Sequence, residues 1–167
     1  MGPESTGKST LVERLAKHFE TGFVREYGRK YVAITGSDNL KIHDFESIVV
    51  GHRLCIELAN PTKTLFVDTE AITTKVFADM YLGEWKSDII EEYINTQHFD
   101  LYLLLDVDVP WVDDGTRDFP EGRKEHLEAL KHELESRGID YVVISGDYEA
   151  RYDKAIQEVE NLYLMRK

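Results

Sequence analysis

The first nine residues carry the densest chemical signal in the chain. Gly2-Pro3-Glu4-Ser5-Thr6-Gly7-Lys8-Ser9 satisfies the pattern G-x-x-x-x-G-K-[ST] at every fixed position. In that pattern successive backbone N–H groups form a nest for phosphate oxygens, and the following helix adds its positive N-terminal end. Gly2 and Gly7 permit the backbone angles the nest needs, with Glu4, Ser5, Thr6 and Thr10 completing the loop and its exit. Lys8 is the residue that reaches β- and γ-phosphates, and Ser9 the one that offers a hydroxyl to Mg²⁺. This is the chemistry of an ATP·Mg²⁺ site. The bland alternative is a Gly-rich turn that happens to precede a helix.

Two carboxylates follow short apolar runs. Asp68 ends TLFVD (64–68), which has the form of a Walker-B element: an apolar strand, then an acid for the metal or its water shell. Asp68 could instead cap the next helix, with Glu70 as its first-turn acid. Glu26 ends GFVRE (22–26), where it could orient or deprotonate an acceptor hydroxyl. Its alternative is a solvated Arg25–Glu26 pair.

The stretch PWVDDGTRDFPEGR (110–123) joins an aromatic, acids and arginines in one long loop, and loops longer than about 12 residues are often lids or binding loops. Arg117 and Arg123 suit charge spread over a transferring phosphoryl group. Trp111 suits stacking on a planar cationic ring. Otherwise the arginines are solvated ion-pair partners and Trp111 is an anchor at the core edge.

These residues must be positioned by something, and the periodicity says what. Helical spacing of apolar residues marks 8–20, 27–35, 43–60, 70–82, 87–97, 123–137 and 150–165. Continuous or short apolar runs mark strands at 22–26, 64–68, 101–107 and 141–145. Strands alternating with helices predict an α/β protein with a mainly parallel sheet. Ligands of such sheets bind beyond the strands' carboxyl ends. Glu26, Asp68, Asp106, Asp108 and Gly146 all fall there.

Composition narrows the partners. The 167 residues suit one domain, 42% hydrophobic and 31% charged. The net charge of −12 argues against a nucleic-acid partner, though not against a nucleotide held in a local positive pocket. One cysteine, Cys55, cannot form a disulfide within the chain. No apolar run reaches the roughly 18 residues of a membrane span, and no leader is visible. A cytoplasmic location with no membrane partner is the expectation.

Taken together, GPESTGKST, VREYGRKYV, FVDTEAITTKVF and DVPWVDDGTRDFPEGR resemble the ribosylnicotinamide kinase domain of the NadR family. The tail IDYVVISGDYEARYDKAI is similar to the family's last strand and nucleotide-base loop, which puts Gly146 beside the donor nucleotide. The resemblance implies a three-layer P-loop kinase fold with strand order 2-3-1-4-5. It implies transfer of the γ-phosphoryl of ATP to the 5′-hydroxyl of nicotinamide riboside, giving NMN. By position, Gly2 to Thr10 would hold ATP, with Lys8 on the β/γ oxygens and Ser9 and Asp68 at the metal. Glu26, Tyr27 and Arg29 would line the acceptor pocket. Trp111 would sit by the nicotinamide, Asp113 would hold ribose hydroxyls, and Arg117 and Arg123 would act from the lid. The competing expectations are a kinase of another nucleoside or small hydroxyl substrate, and a non-catalytic nucleotide-binding remnant.

The chain departs from the family pattern in two respects. Its length leaves no room for the adenylyltransferase or DNA-binding domains of longer members. Strand 1, which would precede Gly2 at the sheet centre, is represented by Met1 alone, so the domain is expected to lack its N-terminal strand. Each buried backbone group orphaned that way costs about 1–3 kcal/mol, against a domain stability of about 5–15 kcal/mol.

Overall fold

The computed structural model describes residues 1–36, 39–59, 64–112 and 121–166. The described elements run α1 (Lys8–His18), β1 (Gly22–Val24), α2 (Tyr27–Thr35), α3 (Ile42–Leu58), β2 (Leu65–Val67), α4 (Ala71–Leu82), α5 (Asp88–Thr96), β3 (Tyr102–Leu105), α6 (Arg123–Ser136), β4 (Tyr141–Ile144) and α7 (Tyr148–Met165).

All described strand pairing is parallel. β1 pairs with β2 in the register Gly22–Leu65, Phe23–Phe66, Val24–Val67, and β3 pairs with β4 from Tyr102–Tyr141 to Leu105–Ile144. Among the described residues the two ladders do not join. Between them lies a cavity of about 100 Å³ lined by Leu65, Phe66 and Val67 on one side and Leu101, Leu103 and Leu105 on the other. Met1 borders it and bonds β3 as a parallel strand residue would: its amino group donates to the Leu103 carbonyl at 2.9 Å, and its carbonyl accepts from Leu105 N–H at 3.0 Å. The β2 and β3 edges therefore stay apart, and Gly2 keeps its place at the head of the phosphate loop. The described order is thus β1-β2, gap, β3-β4, with Met1 bonded to β3 at the edge of the gap.

Successive residues of β3 point to opposite faces, and this divides the core. Leu104 packs among Phe45, Val49, Ile72, Val76, Ile90 and Leu130 from α3, α4, α5 and α6. Leu105 packs among Leu11, Leu15, Phe66, Ile144, Ala155 and Val159 from α1, α7 and the strands. Helices thus cover both faces, which gives the three layers. Among the described residues no helix is long and apolar enough to cross a membrane.

The strands are shorter than the apolar runs predict, because ladder pairing stops where the chain turns into the site. Asp68 and Glu26 both lie just beyond their strands, Glu26 as the N-cap of α2. The final helix begins at Tyr148 rather than 150, because the Asp147 side chain accepts from Glu149 and Ala150 N–H and caps it there. The helix expected over 43–60 is α3, which runs Ile42–Leu58; residue 60 lies outside the described residues.

Candidate functional site

The phosphate loop is folded by glycine geometry and by its own side chains. Gly2 and Gly7 have φ of 141° and 85°, and neither has room for a side chain. A Cβ on Gly2 would lie 2.8 Å from the Leu105 carbonyl, and one on Gly7 would lie 2.8 Å from the Tyr148 ring. Thr6 Oγ1 and Lys8 Nζ both donate to the Pro3 carbonyl, at 2.8 and 2.7 Å. Gly7 caps α1 without a side-chain hydrogen bond, so no protein oxygen from the cap competes for the first-turn N–H groups. That leaves an anion seat at a helix N-terminus. Burial pushes the Lys8 ammonium below its usual value against the pull of Glu26 and Asp68, so Lys8 gains from an arriving phosphate.

Asp68 completes the loop's metal side. Ser9 Oγ donates to Asp68 Oδ2 at 2.5 Å. Asp68 Oδ1 is buried and has no hydrogen-bond partner among the described residues, while Asp68 N–H is fixed on the Val24 carbonyl at 2.8 Å. One carboxylate and one hydroxyl beside a phosphate nest are the hard oxygen donors that Mg²⁺ takes from protein, the rest coming from phosphate and water. The residues fit that ion. Asp68 does not cap the following helix: Glu70 does, accepting from Ile72 and Thr73 N–H at 2.6 and 2.9 Å. Burial raises the Glu70 carboxyl, and those donors oppose the rise.

Behind Asp68 the chain takes an unusual turn. Thr69 has φ of 71°, strained for a β-branched residue. His52 of α3 is set against it, with Nε2 3.1 Å from the Thr69 carbonyl. A carbonyl only accepts, so Nε2 carries the proton. Burial lowers the His52 pKa, against the Thr69 carbonyl, and the ring stays neutral at pH 7.

Lys8 also enters the wall of a second space, a cavity of about 230 Å³ between α2, α3, α4 and the phosphate loop. Its lining mixes aromatic rings (Tyr27, Phe45, Phe77, Tyr81) with the acids Glu4 and Glu26 and with Thr69, Thr73 and Thr74. The wall on the α2 side is tied down at two points. Tyr31 Oη donates to Asp44 Oδ1 at 2.7 Å, and the Tyr27 ring lies where a Cβ on Gly51 would come within 2.3 Å of it.

The structure brings most of the sequence-derived site together. Gly2, Glu4, Ser5, Thr6, Gly7, Lys8, Ser9 and Thr10 form one loop and helix start, Asp68 meets Ser9, and Glu26, Tyr27 and Arg29 line the cavity. Glu26 pairs with Arg29 at 3.0 Å rather than with Arg25, which reaches Glu13 instead. Arg123 is neither solvated nor in a loop: it opens α6, is buried, and donates to the Val109 carbonyl at 3.1 Å. Trp111 stands with its ring 5.9 Å from the Arg123 guanidinium and is outside the described lining of the cavity. Its neighbour Val112 donates its N–H to Ser5 Oγ at 2.7 Å, which docks the start of this loop on the phosphate loop. Asp113 and Arg117, and the body of the expected lid, lie outside the described residues.

Sequence reasoning missed Arg151, His52 and Gly51. Arg151 is 1% exposed and reads in sequence as one more charge on an amphipathic helix. No periodic signal separates it from its solvated neighbours.

With this geometry in hand, comparison with known proteins is decisive on family. A model of the AAA domain family matches residues 1–151. The chain belongs to that family. It is also similar to the trifunctional NAD biosynthesis/regulator protein NadR of Escherichia coli (strain K12), with 36% identity over 97% of this chain and 41% of the relative. The NadR of Salmonella typhimurium (strain LT2) is 35% identical over the same shares. Among solved structures, a NadR protein in complex with NR superposes with a TM-score of 0.83 at 32% identity, covering 97% of this chain and 50% of that one. A NadR protein in complex with NAD and AMP-PNP gives 0.78 at 31% identity, covering 97% and 48%. The fold of this AAA-family chain is therefore the α/β P-loop kinase-like fold of those structures. The chain spans about 41% of the length of the curated relatives it matches.

Proposed function

We propose that this chain is an ATP-dependent kinase that phosphorylates the 5′-hydroxyl of nicotinamide riboside to give NMN, a step of NAD salvage. One observation carries the reading: Lys8 belongs both to the phosphate loop and to the wall of the aromatic and acidic cavity. A phosphate donor seated on the loop thus has its terminal phosphate next to the space that would hold the acceptor. Rings and carboxylates in one cavity favour a flat cation, which nicotinamide riboside is. The NadR structures that bind NR and AMP-PNP support the same pair of ligands.

Each residue then has a task. The N–H groups of the loop from Gly2 to Thr10 cradle the ATP phosphates, and Lys8 leaves the Pro3 carbonyl for the β/γ oxygens. Ser9 and Asp68 would hold Mg²⁺, which supplies charge neutralisation on the transferring group. Glu26, oriented by Arg29, aligns the acceptor hydroxyl and accepts its proton. Tyr27 packs on the ring or ribose, and Trp111 closes the acceptor from the loop docked on Ser5. Asp113 is assigned to the ribose hydroxyls, Arg117 and Arg123 to the charge developing on the phosphoryl group, and Gly146 to the donor's base.

Incubation with Mg·ATP and a panel of nucleosides, followed by mass spectrometry, tests the reading. NMN and ADP are the expected products. Ready phosphorylation of thymidine or uridine with none of nicotinamide riboside would replace it by the kinase of another nucleoside.

A further inference from the structure

Arg151 is the largest of the fully buried side chains among the described residues, and all three of its nitrogens donate into one junction. Its Nε donates to the Gly146 carbonyl at 2.7 Å, one terminal nitrogen to the Thr6 carbonyl at 2.9 Å, and the other to the Asp106 carbonyl at 3.0 Å and to Asp108 Oδ1. Asp108 closes the ring of contacts by accepting Gly146 N–H on Oδ2 at 2.6 Å. Burial raises the Asp108 carboxyl, but the Gly146 N–H and the Arg151 charge outweigh it and hold the group below the usual carboxylate range. One guanidinium thus spans the phosphate loop, the end of β3 and the loop 146–148. The last of these touches the phosphate loop a second time, through Tyr148 against Gly7.

We propose that Arg151 is a positioning residue for the phosphate donor, and that with Asp108 it locks loop 146–148 to the phosphate loop so that a nucleoside triphosphate is held at its base and its phosphates by one rigid unit. The proposal rests on the proposed function, which seats the phosphates of such a nucleotide on the phosphate loop and assigns its base to Gly146. A buried arginine with only backbone carbonyls and one acid as partners carries a large desolvation cost. Fixing two ligand-binding loops in register is the role its contacts describe. The two residues divide the work. Among the described residues the Asp108 side chain bonds Gly146 and Arg151, so its loss frees the base side. Arg151 also holds the Thr6 carbonyl, so its loss frees the phosphate side as well.

Calorimetric titration with Mg·ATP and with Mg·tripolyphosphate separates these. The parent chain should bind ATP more tightly than tripolyphosphate. Asp108→Ala should raise the Kd for ATP about tenfold, the size of one lost charge-assisted hydrogen bond, with tripolyphosphate changed less than about twofold. Arg151→Met should weaken both ligands, and Arg151→Lys should recover part of the loss. Asp108→Asn, which keeps the side-chain volume, serves if the alanine variant does not fold. A parent that binds the two ligands equally, or an Asp108 variant that melts lower yet keeps the parent's ratio of affinities, would overturn the proposal. These titrations contain no acceptor, so failure to phosphorylate nicotinamide riboside would sink the proposed activity and leave this coupling standing.

Discussion

Ser9 Oγ and Asp68 Oδ2 lie 2.5 Å apart across 59 residues of sequence. The hydroxyl at the head of α1 and the acid at the end of β2 are brought together by the parallel pairing that fixes Asp68 N–H on Val24. The second oxygen of Asp68 is buried and unbonded among the described residues, a costly arrangement unless something binds it. A divalent cation held by this pair, as the proposed function requires, would remove that cost.

Asp68→Asn should therefore raise the Mg²⁺ concentration needed for half-maximal rate and lower kcat by about 10²-fold or more, since a bound metal contributes several kcal/mol to charge stabilisation. Initial rates measured across a Mg²⁺ series check this. An unchanged Mg²⁺ requirement would remove Asp68 from the metal.

Lys8→Ala should weaken Mg·ATP binding and slow turnover while leaving the melting temperature near the parent's, because the ammonium's hydrogen bond among the described residues is to the Pro3 carbonyl of its own loop. Charge-assisted bonds to phosphate are worth about 1.5–3 kcal/mol each, which predicts roughly 10- to 100-fold weaker binding. Binding of a fluorescent ATP analogue reads it directly.

Gly51→Ala should act on the acceptor alone. The added methyl must displace the Tyr27 ring, which stands 2.3 Å from its position, and Tyr27 forms the cavity wall. Overpacking of this kind costs about 1–3 kcal/mol. The acceptor KM should rise about tenfold with the ATP KM unchanged, and steady-state kinetics with each substrate varied in turn would show whether the two separate.

His126 should give the fold an acid-sensitive component. It packs edge-on against Phe77 with ring centroids 4.6 Å apart, and its Nε2 has no partner among the described residues. Burial, with the Lys8 charge adding to it, lowers its pKa from 6.5 to about 4. The folded state thus favours the neutral ring. The resulting stability is fully present above pH 6.5 and is lost as pH falls from there to about 4. The gap corresponds to about 3 kcal/mol at its limit. Urea unfolding at pH 7 and pH 4.5 should show a smaller difference for His126→Phe than for the parent. Equal differences would place the acid sensitivity elsewhere.

How far the sequence carries differs from residue to residue. The apolar runs marked all four described strands, yet overstated their lengths, since a run does not reveal where its partner strand ends. Glu26 was legible as a strand-end acid, but its choice of Arg29 over Arg25 follows from the turn into α2 and from Glu13 lying within reach of Arg25. Arg123 looked like a lid residue by composition. Only the packing of α6 under Val109 turns it inward.

What the sequence by itself determined is local: the phosphate nest, the start of α1 at Lys8, the alternation of strands with helices, and the acids that follow the strands. These depend on backbone angles, missing Cβ atoms and periodicity, all set by residues a few positions apart. What the tertiary structure alone decided is which distant groups meet. Ser9 finds Asp68, Tyr27 finds Gly51, and Arg151 reaches Thr6 across 145 positions. The reason is desolvation. A helix pattern states which face is apolar, but whether one charge on it is solvated or sealed inside a junction depends on what packs over it, and that is fixed only when the sheet and both helical layers close together.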